Sequence, residues 1–269
     1  MKNNRINNCF SKLKREKKSA FIAFLTSCDP NFSTSLKLIN ALPSAGVDII
    51  ELGMPFSDPM ADGPVIQKSY LRALKSGSSL IKTFNLVKQF RLKNNSTPIV
   101  LMGYYNPIFQ MGLKTFLTKA QKAGVDGILI VDLPPEASNE LLLVLKTSTI
   151  DLIRLASPTT NEDRVYDILK TSSGFLYYVS ITGITGSKIN KLLNIKKSYL
   201  SLKKNINIPF VVGFGINSPK KAYEISRYAD GVVVGSDLIK EIDKGIKNNS
   251  KIFDNVINLV RKYSKAINK

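Results

Sequence analysis

The sequence predicts a closed (β/α)8 barrel with one extra helix at its N-terminus, and three observations carry that expectation. Short apolar runs alternate with segments of helical length from end to end. The 269 residues suit a fold that typically takes roughly 250. Glycine-bearing loops come late in the chain, where such barrels frequently build anion sites. Repeated strand–helix alternation calls for parallel pairing, and eight repeats suffice to close the sheet. No linker or composition break divides the chain, so one domain spanning residues 1–269 is expected.

The elements follow in order. Ile6, Phe10 and Leu13 form the apolar side of an N-terminal helix, and the basic run from Lys12 to Lys18 is its solvated face. Apolar runs at 21–25, 49–52, 99–102, 128–131, 152–156, 175–179, 210–212 and 231–234 supply eight strands. Helical patterns lie between them, among others at 33–45, 113–123, 136–146, 162–170 and 219–228. The stretch 186–205, rich in Ser, Asn and Lys, reads as a mobile loop before a helix.

Composition narrows the function. No apolar run reaches the roughly 20 residues of a membrane helix, and residues 1–18 lack the apolar core of a secretory signal. A soluble cytoplasmic protein is expected. Two cysteines, Cys9 and Cys28, and no histidine leave no disulfide framework and no zinc site, so no metal is expected. A net charge of +19 raises the question of nucleic acid. The lysines, however, are spread over most helical segments, without the interleaved aromatics of a single-strand platform. Together with abundant Asn and Ile they read as compositional drift, and no nucleic-acid partner is expected.

The most informative stretch is Glu51-Leu52-Gly53-Met54-Pro55-Phe56-Ser57-Asp58-Pro59-Met60-Ala61-Asp62-Gly63-Pro64. It places one carboxylate at the end of an apolar run and a second just before a helical segment. Two carboxylates held by one stiff loop can divide acid and base work if their environments differ. The competing reading is a strand-end Glu and an Asp that caps the next helix. Three later loops, Gly183-Ile184-Thr185-Gly186, Gly213-Phe214-Gly215-Ile216 and Gly235-Ser236, let backbone amides approach an anion at a helix start. Their order after strands six, seven and eight favours phosphate binding over simple turns. None of the eight runs contains a lysine, which argues against a Schiff-base aldolase.

With these segments, and with Leu101-Met102-Gly103-Tyr104-Tyr105-Asn106-Pro107 and Val131-Asp132-Leu133-Pro134-Pro135, the chain resembles the tryptophan synthase alpha chain family over nearly its whole length. The resemblance implies retro-aldol cleavage of indole-3-glycerol phosphate to indole and glyceraldehyde 3-phosphate. It implies that Glu51 is the general acid–base group, that Asp62 accepts the indole N–H, and that Tyr177 is an active-site tyrosine. Gly186, Gly215, Gly235 and Ser236 match phosphate-site positions. Phe24, Leu129, Val131, Leu155, Phe214 and Val233 match the apolar wall around the indole. The family works with a beta chain in an αββα assembly. Pyridoxal phosphate belongs to that partner, so no cofactor is expected on this chain. Pro55, Asp58, Pro59, Asn106 and Pro107 match positions that face the beta chain.

The chain departs from the family pattern at three places. Cys28 stands where a glycine precedes Asp-Pro. Arg154 interrupts the fifth apolar run and, by strand alternation, faces the outer helices, where a buried arginine needs a partner. The loop from Ser187 onward is rich in Lys and Asn. Other readings stay open on the residues alone. One is another phosphate-binding barrel, such as an isomerase or indole-glycerol phosphate synthase, which the missing strand lysine disfavours. Another is a non-catalytic subunit that only activates a beta partner.

Overall fold

A computed structural model describes residues 4–179, 206–213, 215–247 and 251–269. The expected loop at 186–205, and with it Gly186, lies outside the described residues, as does Phe214. Eight parallel strands close in strict sequence order: β1 (Ala20–Thr26), β2 (Ile49–Gly53), β3 (Ile99–Gly103), β4 (Gly127–Ile130), β5 (Asp151–Ala156), β6 (Leu176–Val179), β7 (Phe210–Gly213) and β8 (Gly231–Val234). The closing seam sets Ala20 of β1 against Gly231 of β8. The strands are apolar on both faces because the barrel interior takes one face and the helices take the other. Nearly every strand residue is buried accordingly.

The described helices are α1 (Arg5–Arg15), α2 (Phe32–Ala41), α3 (Pro64–Lys75), α4 (Leu80–Arg91), α5 (Tyr105–Met111), α6 (Leu113–Ala123), α7 (Asn139–Leu145), α8 (Glu162–Lys170), α9 (Pro219–Ser226), α10 (Ser236–Lys247) and α11 (Ile252–Ile267). Their starts carry local signals. Asn4, Asn31, Ser79, Asn161 and Ser218 each accept a backbone N–H in the first turn of the helix that follows. The N-terminal helix forms as expected, with Ile6, Phe10 and Leu13 buried. Its Phe10 ring packs 5.7 Å from that of Phe175, and Ile6 reaches the backbone of Gly127 at the start of β4, so α1 closes the end of the barrel where strands begin.

Some boundaries differ from the sequence expectation. The helix expected at 33–45 stops at Ala41, and Pro43–Ala45 turns as a short 3-10 segment ending at Gly46 with φ +97°. Gly46 tolerates that backbone where other residues strain. The helix expected from residue 136 starts at Asn139 after a 3-10 turn at Pro135–Ala137. β4 ends at Ile130, leaving Val131 just beyond it, and β2 runs two residues past Glu51.

Both single-residue departures find a place. Cys28 adopts φ +62° and is buried, its N–H donating to Ser35 Oγ at 3.2 Å. The loop therefore keeps the left-handed backbone that suits glycine, at a cost of roughly 1–2 kcal/mol, and packs the thiol inward. Arg154 does point outward from β5 and is buried. Its partners are the Leu133 carbonyl oxygen at 2.7 Å and Ser138 Oγ at 2.6 Å, at the entrance to α7, and not a carboxylate. Burial pushes the guanidinium down to about 10.

Two ion clusters hold the frame. Asp126 accepts from Arg91 Nη2 at 2.7 Å, Arg5 Nη1 at 2.8 Å and the Ile99 N–H at 2.7 Å, linking α1, α4 and β3. Arg72 of α3 grips both oxygens of Asp29, at 2.9 and 2.8 Å, and reaches Asp243 of α10 at 2.9 Å; Lys247 closes the chain on Asp243. Removing Asp126 leaves Arg91, already pushed down to about 10 by burial, with its charge uncompensated. Asp126→Ala is expected to destabilise the fold by about 3–5 kcal/mol in urea titrations. Arg5→Ala, whose side chain is one-third exposed, should cost no more than about 1 kcal/mol. Equal losses would show that the pairing is not what matters.

Candidate active site

A cavity of about 290 Å³ opens where the strands end. That is near the lower bound of small-molecule sites, about 300–1,000 Å³. Glu51 and Asp62 line it from β2 and the loop that follows. Tyr177 lines it from β6, Phe24 from β1 and Val233 from β8. Gly215, Gly235, Ser236 and Lys240 line it at the junction of β7, β8 and α10. Residues as far apart in sequence as Phe24 and Ser236 meet here because closure places every strand end at one mouth.

Glu51 sits opposite Phe24 of β1 and Val100 of β3 in the sheet register. It is 1% exposed, and among the described residues neither carboxyl oxygen has a hydrogen-bond partner. Burial, then the neighbouring Asp62 charge, pushes its pKa up to about 8. Glu51 is therefore a carboxylic acid at neutral pH, able to donate a proton into a dry pocket.

Asp62 is treated differently. Its carboxylate accepts the Tyr104 hydroxyl at 2.7 Å, and that hydroxyl in turn accepts the Ala61 N–H at 3.0 Å. Burial raises the Asp62 pKa, while the Tyr104 hydrogen bond opposes the rise by favouring the charged form. Helix α3 is entered through Gly63 with no side-chain cap, so the helix-capping reading of Asp62 does not hold. The Asp62 carbonyl oxygen accepts instead from Gln67 Nε2 at 2.9 Å, which fixes the loop. Tyr104 was visible in the sequence within Gly103-Tyr104-Tyr105, but nothing there tied it to a residue 42 positions earlier.

Tyr177 is buried, and burial, with the charges of Glu51 and Asp62 adding, holds its phenol well above the usual range, so it stays protonated. A side chain at Gly213 would collide with the Tyr177 hydroxyl, which is why a glycine ends β7. Gly215 has φ +69°, a backbone that L side chains rarely adopt, and its carbonyl oxygen accepts Lys221 Nζ. A Cβ on Gly235 would lie 3.1 Å from Phe24 Cβ, so this turn also needs glycine to seat against β1. Ser236 then opens α10, and the first N–H groups of a helix have no partner within it and suit an anion.

The remaining expected residues fall in three places. Leu129 is buried within β4, while Leu155 on β5 and Val131 just past β4 are half-buried; none of the three is among the cavity-lining residues. Asp58 and Asn106 are exposed, Pro107 is half-buried, and Pro55 and Pro59 are buried where they stiffen the loop between the carboxylates. Gly186 and Phe214 lie outside the described residues. Met102, Pro64, Ile66, Asn217 and Lys240 line the cavity without having been anticipated. Among the described residues no cluster of three metal-ligating side chains exists, and no helix is long and apolar enough to cross a membrane.

Fold and site together define a closed parallel barrel that brings two carboxyl groups to one cavity at the ends of its strands. The chain belongs to the tryptophan synthase alpha chain family, which matches it over residues 10–268. The function that goes with this membership is a carbon–carbon lyase reaction of tryptophan biosynthesis, the cleavage of indole-3-glycerol phosphate to indole and glyceraldehyde 3-phosphate. Solved structures agree. Tryptophan synthase subunit alpha of Legionella pneumophila str. Paris is 38% identical, with 98% of each chain covered and a TM-score of 0.92. A protein of Aquifex aeolicus VF5 is 34% identical, with 99% of this chain and 100% of that one covered and a TM-score of 0.90. The aminoacrylate-bound form of tryptophan synthase from M. tuberculosis is 27% identical, with 98% and 99% covered and a TM-score of 0.87.

Glu51 has a stability signature. Its folded pKa, about 8, lies above the ordinary 4.5. The stability its neutral form contributes is full below about pH 4.5 and is lost as pH rises toward 8. Glu51→Gln, which stays neutral, should match the parent near pH 4.5. It should exceed the parent by on the order of a few kcal/mol at pH 8. Urea unfolding at pH 4.5, 6 and 8 measures this, and a difference that does not change with pH contradicts the assignment.

Proposed function

We propose that Glu51 and Asp62 share the proton work of the lyase reaction, with the substrate's indole at the carboxylate end of the cavity and its phosphate on Gly215, Gly235 and Ser236. The observation that carries this reading is that one cavity is lined both by a buried carboxyl without a hydrogen-bond partner among the described residues and by a glycine-flanked helix start. Gly186 belongs to the same proposed cradle by its place in sequence.

The steps balance without a cofactor. The Glu51 carboxyl protonates the ring carbon that bears the glycerol chain, leaving a positive charge spread to the ring nitrogen. Asp62, its charged form favoured by the Tyr104 hydrogen bond, accepts the ring N–H and stabilises that charge. Glu51, now a carboxylate, takes the proton of the adjacent chain hydroxyl. The carbon–carbon bond breaks, its electron pair restores the aromatic ring, and the hydroxyl carbon becomes the aldehyde. Glu51 ends protonated, as it began. Tyr177 stands beside it as a neutral donor toward the reacting hydroxyl, and Phe24 and Val233 flank the ring. Leu129 and Leu155, paired in register with Met102 and Tyr177, extend that wall, and Val131 and Phe214 belong to it by their place in sequence.

We further propose a beta-chain partner in an αββα tetramer, with pyridoxal phosphate held by the beta chain, and a cytoplasmic location. The relatives solved as tryptophan synthase of M. tuberculosis support the partner. On this chain the exposed Asp58 and Asn106, with Pro107, offer the contact, and buried Pro55 and Pro59 stiffen the loop that leads back to both carboxylates.

The direct test is an assay of the purified chain with indole-3-glycerol phosphate, with and without a beta chain. Glu51→Gln should lower kcat by about 10²–10⁴-fold. In the parent, kcat/KM should fall as pH rises through about 8, where Glu51 loses its proton. More than half the parent turnover in the variant removes Glu51 from the mechanism. Asp58→Ala should keep the basal activity of the isolated chain and weaken activation by the beta chain roughly 5-fold or more, the size of a typical coupling of about 1–3 kcal/mol. Unchanged activation at saturating partner would place the contact elsewhere.

A further inference from the structure

The cavity is lined by charges of both signs. Two carboxyl groups, Glu51 and Asp62, come from β2 and the loop that follows. Lys240 is the single basic side chain among the described lining residues. It lies four residues after Ser236 on α10, so the two share one helix face and a single turn separates them. The other lysines late in that helix are engaged: Lys244 pairs with Glu241 at 3.3 Å and Lys247 with Asp243 at 2.8 Å. Lys240 forms no ion pair among the described residues. The one acid in the first turn of α10, Asp237, would oppose an anion, but its carboxylate is drawn off by the Tyr263 hydroxyl of α11 at 2.6 Å.

From this geometry we infer that Lys240 sets specificity for the phosphate-bearing substrate, its ammonium closing over the outer phosphate oxygens while the α10 amides hold the inner ones. The inference rests on the proposed phosphate cradle and deepens it. Backbone amides and a hydroxyl recognise any compact oxyanion. A flexible ammonium adds a full charge that rewards a dianion over a monoanion or a neutral group. It also orients the ligand: phosphate goes to α10 and the electron-poor ring N–H to Asp62, because the reverse pose sets like charges together. Lys240 touches no reacting bond, so it acts on binding and leaves the chemical step alone.

The experiment compares the parent, Lys240→Met and Lys240→Arg as full-length chains. With indole-3-glycerol phosphate, Lys240→Met should raise KM about 10- to 100-fold, the range for a lost hydrogen bond between charged groups. Its kcat should stay within roughly 3-fold, and Lys240→Arg should recover most of the KM. Calorimetry should show weaker glycerol 3-phosphate binding in Lys240→Met, with a shallower salt dependence, and unchanged indole binding. An unchanged KM in Lys240→Met, or an equal loss of indole affinity, overturns the inference. A parent chain that does not cleave the substrate at all would instead count against the proposed reaction, which keeps the two failures apart.

Discussion

A buried carboxyl with no hydrogen bond is costly to ionise, and that cost organises the mouth of this barrel. Glu51 stays protonated at neutral pH because it is buried and, among the described residues, no hydrogen bond compensates a charge there. The same emptiness leaves its proton for a ligand. Asp62, close enough to push Glu51 upward, is itself raised by burial, but its charged form is favoured by the hydrogen bond from one phenol, Tyr104. Two acids from one loop and strand thus sit in different environments. The difference comes from a single hydrogen bond, made by one and missing from the other.

The buried charges that hold the frame are placed differently. Asp126 holds two arginines and a backbone N–H, Asp29 holds both arms of Arg72, and even Arg154, with no carboxylate, has a carbonyl and a hydroxyl. The fold supplies partners for buried charge wherever charge serves the frame. It withholds them at Glu51, where a satisfied carboxylate would be a poor acid. Mutations at the frame should act on stability. Mutations at Glu51 should separate stability from turnover, since the neutral amide relieves the burial cost while removing the proton donor.

Much of this was legible in the sequence. Eight apolar runs became eight strands because a closed parallel sheet buries both faces, which leaves continuous apolar runs as its imprint. The Glu51–Pro64 loop and the late glycines were legible because stiff or left-handed backbone demands particular residues. Partnerships across the barrel were not. Tyr104 meets Asp62, and Lys240 meets the cradle, only after closure sets strands two and three, and seven and eight, in register. Strand phase was also hidden: runs apolar on both sides do not reveal which residues face the cavity. In the closed sheet Leu129 pairs with Met102 and Leu155 with Tyr177, so both share the inward face with cavity-lining residues. Proline's missing N–H at Pro43, and the turn at Pro135, shortened two helices that hydrophobic periodicity alone had extended.

The ion chain from Asp29 through Arg72 to Asp243 and Lys247 has a geometric consequence. Arg72 lies on the helix that begins just past Asp62, and Asp243 lies on the helix that begins at Ser236. Clamping those helices fixes the span between the start of one and the start of the other. The cavity thereby becomes a ruler: a ligand must bridge a set distance to engage both termini at once. Homologues of the substrate with one carbon more or fewer between ring and phosphate would be rejected by length, however well each end is recognised.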